Sequence, residues 1–379
     1  MTTTATLQQE ILRETVRDFA RSEIRPHVME WDEAQQFPLE TIRRLGEIGM
    51  LGALVDPEYG GAGLSYPDYV IVIEELSRVD ASIGLSVAAH NSLCTNHIAL
   101  TASDDQKRRW LPRLASGEAL GAWALTEPGA GSDAAAARTR ALRDGDSWLL
   151  SGTKNFITHA TYADVYVVLA VTDPEAGTRG ISAFVIEKGT PGLTPGAKEN
   201  KLGCRASDTA SLILEDCRVP DADRIGSQGH GFVDALKVLD GGRISIAAMA
   251  LGISEGALGC SLAYARERQQ FGKAISEFQG IQFKLAEMAT RVEAARRLTY
   301  EAAALKATLG SVPRESSMAK LYASETAVWV SEQAVQIHGG YGYTKDYPAE
   351  KYWRDSKLCT IGEGTSEIQK IVIARELLS

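Results

Sequence analysis

The sequence of 379 residues contains one carboxylate whose neighbours suit it for acid–base chemistry, Glu363. It lies between Gly362 and Gly364, just before a helix that Thr365 or Ser366 could cap. The flanking glycines clear space around the carboxylate. A carboxylate in an apolar cleft has a raised pKa and becomes a usable general base near neutral pH. An exposed loop glutamate is the alternative interpretation of the same residues.

Residues 123–133 place hydroxyl and carboxylate side chains around a Pro-Gly-Ala-Gly turn. The backbone N–H groups of such a turn can form a nest that suits a planar polar ring or an anion. Phe156, Ile157 and Thr158 follow downstream and offer an aromatic face and a hydroxyl group. Taken alone, the first segment is more typical of a turn between strands, and the second of an ordinary strand.

Two further segments carry groups that suit a ligand. Arg268 and Phe271 precede Gln279, so that guanidinium and amide groups could grip the phosphates. Residues 336–340, Gln-Ile-His-Gly-Gly, end a helical pattern with glycines that fit a C-terminal cap and also permit close approach of the backbone to a ligand. Without other support, a solvated helix end and a helix cap explain these two segments.

The charge balance argues against nucleic acid or an anionic membrane surface as a partner. Lys and Arg number 40 and Asp and Glu 49, a formal net charge of −9, whereas such partners need clustered basic groups. The six histidines show no metal-ligand spacing, so we expect no metal site. The five cysteines are scattered, which favours reduced thiols. Because the first ten residues also lack the pattern of a signal peptide, we expect a soluble cytoplasmic protein.

The order of secondary structure divides the chain into three predicted domains. Residues 1–120 repeat apolar side chains every three or four positions, which predicts helices. Residues 121–226 concentrate glycines and prolines between short β-branched runs, which predicts a compact β-sandwich or β-barrel. Residues 227–379 return to helical spacing, with a long helix over 281–309 that needs helical neighbours in a bundle. This segregation predicts a mostly helical α+β protein and excludes a doubly wound βαβ fold.

Taken together, in this order and spacing, the segments resemble the acyl-CoA dehydrogenase family of flavoproteins across essentially the whole chain. The most specific blocks are Leu-Thr-Glu-Pro-Gly-Ala-Gly-Ser-Asp at 125–133 and Glu-Gly-Thr-Ser-Glu-Ile at 363–368. The blocks at 239–244 and 89–93 are most similar to the short-chain, butyryl-type members. The resemblance implies an N-terminal helical domain, a central β-domain and a C-terminal four-helix bundle, in agreement with the predicted order.

The resemblance also implies FAD and the residues that hold it. Residues of the 123–132 and 156–158 segments would line the flavin ring, and Arg268 and Gln279 would contact the pyrophosphate. The 336–340 segment would reach the FAD of a neighbouring subunit, so a homotetramer is expected. The implied cofactor-binding residues are Trp123, Leu125, Thr126, Gly131, Ser132, Phe156, Ile157, Thr158, Arg268, Phe271, Gln279, Gln336, Ile337, Gly339, Gly340, Thr365 and Glu367. The implied acyl-CoA contacts are Ser132, Asp240, Arg243 and Gly364.

The reaction implied by the resemblance is the α,β-dehydrogenation of an acyl-CoA thioester. Glu363 would remove the α-proton while the backbone N–H beside it and a ribityl hydroxyl of FAD stabilise the thioester oxygen. The β-hydrogen would leave as hydride to flavin N5, giving a trans-2-enoyl-CoA. The resemblance further implies an electron-transfer flavoprotein as the electron acceptor.

Four positions refine the comparison with the family. Some branched-chain relatives carry their base near Gly242, whereas here that position has no carboxylate and Glu363 is present. Gly362 replaces an aromatic residue common before the catalytic glutamate of short-chain members, which enlarges or reshapes the pocket. Phe156 stands where many relatives have Trp, and His159 where Asn is frequent. The last two substitutions alter the flank of the flavin.

Two other functions are compatible with parts of the sequence. A flavin oxidase or monooxygenase of the same fold would act on an acyl thioester or a related substrate. A non-catalytic scaffold would keep the fold as a binding module, although it needs neither Glu363 nor Arg268. The sequence also leaves open whether the acyl group is carried on CoA or on an acyl carrier protein.

Overall fold

The N-terminal part is helical, as predicted. The computed structural model describes residues 6–379, and residues 1–5, on which part of the signal-peptide prediction rests, lie outside the described residues. Thr6 caps the first helix by accepting a hydrogen bond from the Gln9 N–H, and Val16 is the buried residue of that helix. The helices of this part are α1 (Leu7–Phe19), α2 (Val28–Ala34), α3 (Leu39–Glu47), α4 (Tyr66–Val79), α5 (Ala81–Ala88), α6 (Asn96–Thr101) and α7 (Asp104–Ser116), with π-helical turns at Ala20–Ile24 and Ala89–Thr95.

The middle part is one eight-stranded sheet. Its strand order is β6-β7-β3-β2-β4-β5-β8, and β1 pairs with β4 in parallel. The strands are β1 (Gly121–Ala124), β2 (Arg140–Asp144), β3 (Ser147–Thr158), β4 (Val165–Val171), β5 (Ile181–Glu187), β6 (Leu193–Lys198), β7 (Thr209–Pro220) and β8 (Arg224–Ile225).

Strand β4 separates two hydrophobic cores, because alternate side chains of a strand face opposite sides of the sheet. Val167 packs in a core with Trp110 of α7, whereas Val168 packs in a core with Trp148 of β3 and Phe184 of β5. The rings of Trp148 and Phe184 lie 5.7 Å apart, although β2 and β4 lie between their strands. Since neighbouring strands are about 4.8 Å apart, the sheet must curl around the second core.

The C-terminal part is a helical bundle built on its first, largely buried helix. α8 packs against α4, α9, α10 and α11, and α12 packs on α10. The helix predicted over 281–309 begins two residues earlier and ends as predicted, where Gly310 adopts φ 76°. The elements are α8 (Gly231–Glu267), β9 (Gln269–Gln270), β10 (Lys273–Ala274), α9 (Gln279–Leu309), α10 (Pro313–His338), α11 (Ala349–Cys359) and α12 (Ser366–Leu378).

One described helix, α8, is long and apolar enough to cross a membrane by length and composition. Of its most apolar 18-residue window, 61% is buried inside the protein. Its apolar surface is therefore largely used by the neighbouring helices of the bundle.

A buried lysine ties the three parts of the chain together. Lys351 of α11 donates to Asp80, which precedes α5, at 2.9 Å and to Asp355 at 2.6 Å. The other oxygen of Asp355 accepts the Cys204 N–H, from the loop before β7, at 2.6 Å. Because breaking a buried ion pair leaves an uncompensated charge, this network fixes the bundle relative to both other parts.

Candidate active site

Glu363 lies in the tight turn between α11 and α12. The Gly362 N–H donates to the Leu358 carbonyl at 2.9 Å at the end of α11, and the Thr365 hydroxyl accepts an N–H from the first turn of α12. Between these fixed ends Glu363 adopts φ 53°, a left-handed conformation that residues with a side chain seldom hold. Such conformations cluster at functional sites, where the surrounding structure maintains them.

The Glu363 carboxylate lies against α8 at the position of a glycine. A Cβ built on Gly242 would lie 1.8 Å from Oε2 of Glu363 and 3.1 Å from Cδ2 of Leu93. Oε2 is shielded from solvent and has no hydrogen-bond partner among residues 6–379. A buried carboxylate oxygen without a protein partner is an acceptor available to a ligand.

Burial controls the protonation of this carboxylate. Desolvation raises the pKa of Glu363 to about 7, and the positive charges of Lys320 and Arg243 oppose the rise. A base with a pKa near the working pH combines a useful ionised fraction with enough basicity to accept a proton. This raised pKa is the one expected for a carboxylate in an apolar cleft, one of the two interpretations that the sequence left open.

Asp240 and Arg243 form a buried pair one helical turn apart on α8. Arg243 donates to Oδ1 of Asp240 at 2.7 Å, and the Ser311 hydroxyl donates to Oδ2 at 3.1 Å. The Nε atom of Arg243 is buried and has no acceptor among the described residues. Gly364 adopts φ 93° beside Glu363, and its carbonyl accepts a hydrogen bond from the Gln369 amide at 2.8 Å. An unused donor, Nε of Arg243, and an unused acceptor, Oε2 of Glu363, therefore both lie at the same part of α8.

A second buried ion pair fixes the loop that follows β1. Lys154 of β3 donates to Glu127 at 2.7 Å and to the Leu125 carbonyl at 3.1 Å. The Glu127 carboxylate also accepts the N–H groups of Arg138 and Thr139 at 2.7 and 2.9 Å. Burial alone would raise the pKa of Glu127, but Lys154 and these donors hold it below its usual value. The carboxylate thus joins both ends of the predicted flavin-binding loop to the sheet.

The predicted flavin-facing residues lie on β1 and at the end of β3. The indole N–H of Trp123 donates to Nδ1 of His97 at 2.9 Å, and desolvation lowers the pKa of His97 to about 4, so this ring is neutral and can accept. Phe156 is 62% exposed and adopts φ 57°, whereas Ile157 is buried. Leu125 is buried, while Gly131 and Ser132 are exposed in the loop. An exposed aromatic face held in an unusual backbone conformation suits contact with another ring.

A groove of about 520 Å³ brings Arg268 together with residues of the 336–340 segment. Arg268, Ile337, Gly339 and Gly340 line it together, although their segments are distant in sequence. The Arg268 guanidinium lies over the Tyr341 ring, 5.5 Å from its centroid, and forms no salt bridge with a carboxylate of residues 6–379. A Cβ at either glycine would meet nothing within 4 Å, so backbone is open to a ligand there.

The remaining predicted residues lie outside the lining of this groove. Phe271 is 94% exposed and adopts φ 53°, and Gln279, at the start of α9, is also exposed. Gln336 is exposed on α10, and Glu367 is exposed in the first turn of α12. No residue of the 123–158 segment lines the groove. The predicted cofactor residues therefore form two sets, one on the sheet and one on the bundle.

Acidic side chains also cluster at the contact between α4 and α8. Glu74, Glu75 and Glu255 offer oxygens within 4.8 Å of one another. Arg13 and Arg296 donate to this cluster from α1 and α9. Because guanidinium groups already occupy the carboxylates, the cluster is a buried ion-pair network between helices.

Sequence analysis missed two groups that contact the candidate site. Lys154 stands in an otherwise unremarkable β-strand, and only the structure pairs it with Glu127. Lys320 lies in α10, where its neighbours on the buried face are small residues such as Ala323 and Ser324. A lysine within a buried stripe of small residues was the available signal, since lysine is almost never fully buried without a partner.

Family models match nearly the whole chain in three consecutive pieces. The model for "Acyl-CoA dehydrogenase, N-terminal domain" matches residues 6–118, that for the middle domain matches residues 122–217, and that for the C-terminal domain matches residues 229–378. The matched stretches correspond in order to the helical part, the sheet and the bundle.

Individual proteins are similar over most of their length. The short-chain specific acyl-CoA dehydrogenase of Clostridium acetobutylicum is 47% identical over 372 residues, which cover 98% of each chain. The mitochondrial short-chain specific acyl-CoA dehydrogenase of Rattus norvegicus is 48% identical over 97% of this chain and 90% of its own. The structure of butyryl-CoA dehydrogenase from Megasphaera elsdenii covers all of both chains with a TM-score of 0.98 and 41% identity.

Proposed function

Because this chain belongs to the acyl-CoA dehydrogenase family of oxidoreductases, we propose that Glu363 is the base that removes the α-proton of an acyl-CoA thioester in forming a trans-2-enoyl-CoA. The observation that carries the proposal is the unpartnered, buried Oε2 of Glu363 against the bare backbone of Gly242. Its pKa, raised by desolvation to about 7, suits a base that works near neutral pH.

The backbone beside the base supports the same chemistry. The N–H of Glu363 has no acceptor among residues 6–379, while its carbonyl accepts a weak hydrogen bond from Gln369 at 3.3 Å. A fixed donor aimed at a thioester oxygen would stabilise the negative charge that develops there as the α-proton leaves. Closing the site over the thioester would exclude water and strengthen this interaction.

The residues predicted to hold FAD have the chemistry that this cofactor needs. The family uses FAD, which, when bound, supplies the acceptor for the β-hydrogen. Phe156 and Trp123 would lie beside the flavin ring, and Thr126, Thr158 and Ser132 would offer hydroxyl groups to it. Arg268, which lacks a carboxylate partner, and the open backbone of the 339–340 glycines would bind the pyrophosphate.

We propose that a complete cofactor site needs more than one subunit. The sheet and the bundle each carry one set of predicted cofactor residues, and Arg268 shares its groove with the 336–340 segment. That segment and Arg268 would therefore reach the FAD of the same neighbouring protomer in a homotetramer. Exposed apolar side chains, such as Phe283 (63% exposed) and Ile371 (62% exposed), would be covered in this assembly.

The substrate and its partners follow from the same site. Asp240, Arg243, Ser132 and Gly364 would contact acyl-CoA, with the unused Nε of Arg243 as one donor. Short acyl chains are proposed because the relatives described above are named short-chain specific. An electron-transfer flavoprotein would reoxidise the enzyme. The free cysteines support a reducing, cytoplasmic location.

Substituting Glu363→Gln tests the proposed base while preserving its shape. The variant is expected to keep the yellow FAD and to bind butyryl-CoA, and to lose turnover by about 10⁴-fold or more, since the base alone is removed. Glu332→Gln, an exposed change on α10, is the matched control and should retain full turnover. Normal turnover in Glu363→Gln would reject the assigned role.

Anaerobic mixing separates dehydrogenation from the oxidase or monooxygenase alternative. Butyryl-CoA should bleach the flavin absorbance without oxygen, and an electron-transfer flavoprotein should restore it. Rapid oxygen consumption with peroxide release would favour an oxidase. A panel of acyl-CoA thioesters of graded length, compared with the same acyl groups on an acyl carrier protein, would define the substrate.

A further inference from the structure

Lys320 is a buried ammonium group directly beneath the Glu363 turn. It projects from α10, its side chain is fully buried, and its Nζ donates to the Gly364 carbonyl at 2.6 Å. That carbonyl belongs to the residue that follows the proposed base. The contact therefore joins the central bundle to the turn on which the base depends.

A charged side chain is not needed to hold the Glu363–Gly364 turn in place. The neutral Gln369 amide already donates to the Gly364 carbonyl at 2.8 Å and to the Glu363 carbonyl at 3.3 Å. Lys320 has three N–H donors, and the Gly364 carbonyl is its acceptor among residues 6–379. Burying an ammonium without a carboxylate partner is unfavourable. The hydrogen bond alone therefore does not explain why a charged lysine is buried at position 320.

The charges around Glu363 show what that role can be. Arg243 faces the carboxylate from α8 but is neutralised by Asp240 at 2.7 Å, whereas Lys320 forms no salt bridge with a described carboxylate. Lys320 is thus an uncompensated positive charge next to the turn, while Arg243 and Asp240 together add little net field. The other titratable groups that interact with Glu363, Lys320 or Arg243 are Tyr69 of α4, Lys306 of α9, Cys359 of α11, and Glu367 and Arg375 of α12.

We propose that Lys320 is a positioning residue that holds the Glu363–Gly364 turn and favours the ionised form of the Glu363 carboxylate before substrate binds. The inference rests on the proposed role of Glu363 as the base. Desolvation lowers the pKa of Lys320 to about 8, with Cys359 and Glu363 opposing the change, so the ammonium is still largely charged at neutral pH. Its charge opposes the rise that burial imposes on the pKa of Glu363.

The test compares three variants of the FAD-loaded enzyme. Lys320→Met removes the charge and the hydrogen bond, Lys320→Arg keeps a charge, and Gln369→Met removes only the neutral anchor. The value of kcat/KM for butyryl-CoA should fall at acidic pH as Glu363 becomes protonated, which gives the pH profile an acidic limb. Because a positive charge favours the ionised carboxylate, Lys320→Met should shift this acidic limb to a pH about one unit higher. At pH 6 this shift lowers kcat/KM about tenfold. Lys320→Arg and Gln369→Met should leave the limb in place even where they lower the maximal rate.

A second measurement observes the carboxylate without turnover. Infrared difference spectra between pH 5 and pH 9, on protein with ¹³C-labelled glutamate, report carboxyl ionisation, and Glu363→Gln identifies the band of the base. The midpoint of that band should rise in Lys320→Met as the kinetic limb does. This readout applies to any Lys320 variant that folds, and Lys320→Gln provides a second neutral substitution if Lys320→Met does not.

An unshifted limb and an unshifted band in Lys320→Met or Lys320→Gln would overturn the inference. An equal shift in Gln369→Met would also overturn it, since loop position would then be responsible without the charge. A failure of the proposed role of Glu363 as the base would give a different result. The Glu363→Gln variant would then turn over normally, whatever the Lys320 variants do.

Discussion

The Glu363 carboxylate, in the turn before α12, fills the space beside Gly242 of α8 that a side chain at that position would need: a Cβ added to the glycine would lie 1.8 Å from Oε2 of the glutamate. No pair of a carbon and an oxygen can approach so closely without a bond. The bare backbone of α8 is therefore the surface on which the carboxylate rests. A carboxylate carried on α8 at this point and one carried at 363 would compete for the same volume, so the site has room for one of them.

Replacing Gly242 with alanine should displace the proposed base, Glu363, while leaving the fold intact. Alanine is favoured over glycine inside a helix, so α8 itself should not be weakened. Because misplacement by about 1 Å can reduce a rate about 100-fold, we expect kcat to fall by about that factor with FAD content unchanged. Gly259→Ala, on the same helix with open space around the added carbon, is the control. Equal activity of the two variants would show that Glu363 does not use this space.

Glu363 should also make the stability of the protein depend on pH. Its pKa is raised by burial to about 7 from an ordinary value of 4.5, so its contribution to stability is complete below pH 4.5 and is lost as the pH rises through 7. Glu363→Gln cannot ionise and should gain stability relative to the parent by on the order of 3 kcal/mol between pH 4.5 and pH 8. Thermal unfolding at both pH values measures the difference. The exposed Glu332→Gln should show no such trend, and a trend of the opposite sign would contradict the buried-carboxylate assignment.

Removing Lys154 of β3 should destabilise the loop after β1, which is proposed to contact the flavin, because Lys154 is the buried partner of Glu127. Lys154→Met leaves the Glu127 carboxylate buried beside Leu125 without its cation, which costs about 3 kcal/mol. We expect a lower unfolding temperature and weaker FAD binding in a fluorescence titration. Lys154→Met combined with Glu127→Gln removes both charges and should recover part of the loss. If the double variant were worse by the sum of the two single effects, the pair would not act as a unit.

Gly362 should influence the length of acyl chain that the enzyme accepts. A Cβ at this position would meet Leu358 at 3.6 Å, an ordinary contact, so a side chain can be accommodated. Gly362→Tyr should narrow the pocket and lower kcat/KM for octanoyl-CoA at least about tenfold relative to butyryl-CoA, since even one methylene group is worth about 1–3 kcal/mol in a hydrophobic pocket. Gly362→Ala should shift the ratio less. An unchanged ratio in the tyrosine variant would place residue 362 outside the acyl pocket.

The sequence by itself was sufficient to predict the order of helical, β and helical parts and the candidate base. Helical periodicity and the clustering of glycines and prolines arise from neighbours in the chain, so residues 281–309 were predicted as one helix almost to the residue. The isolated carboxylate between Gly362 and Gly364 is likewise a local pattern. Local patterns suffice wherever backbone conformation and side-chain spacing are set within a few residues.

Only the tertiary structure decided what surrounds that candidate base. Gly242, Lys320 and Glu363 come from three elements, and their contacts depend on how α8, α10 and the final turn pack. Glu127 and Lys154 likewise meet because β3 runs beside the loop after β1. Burial, which raises the pKa of Glu363, is a property of packing and has no signature in adjacent residues. The sequence therefore identifies the candidate reactive group, whereas the protonation and the position of its carboxylate depend on residues that folding brings to it.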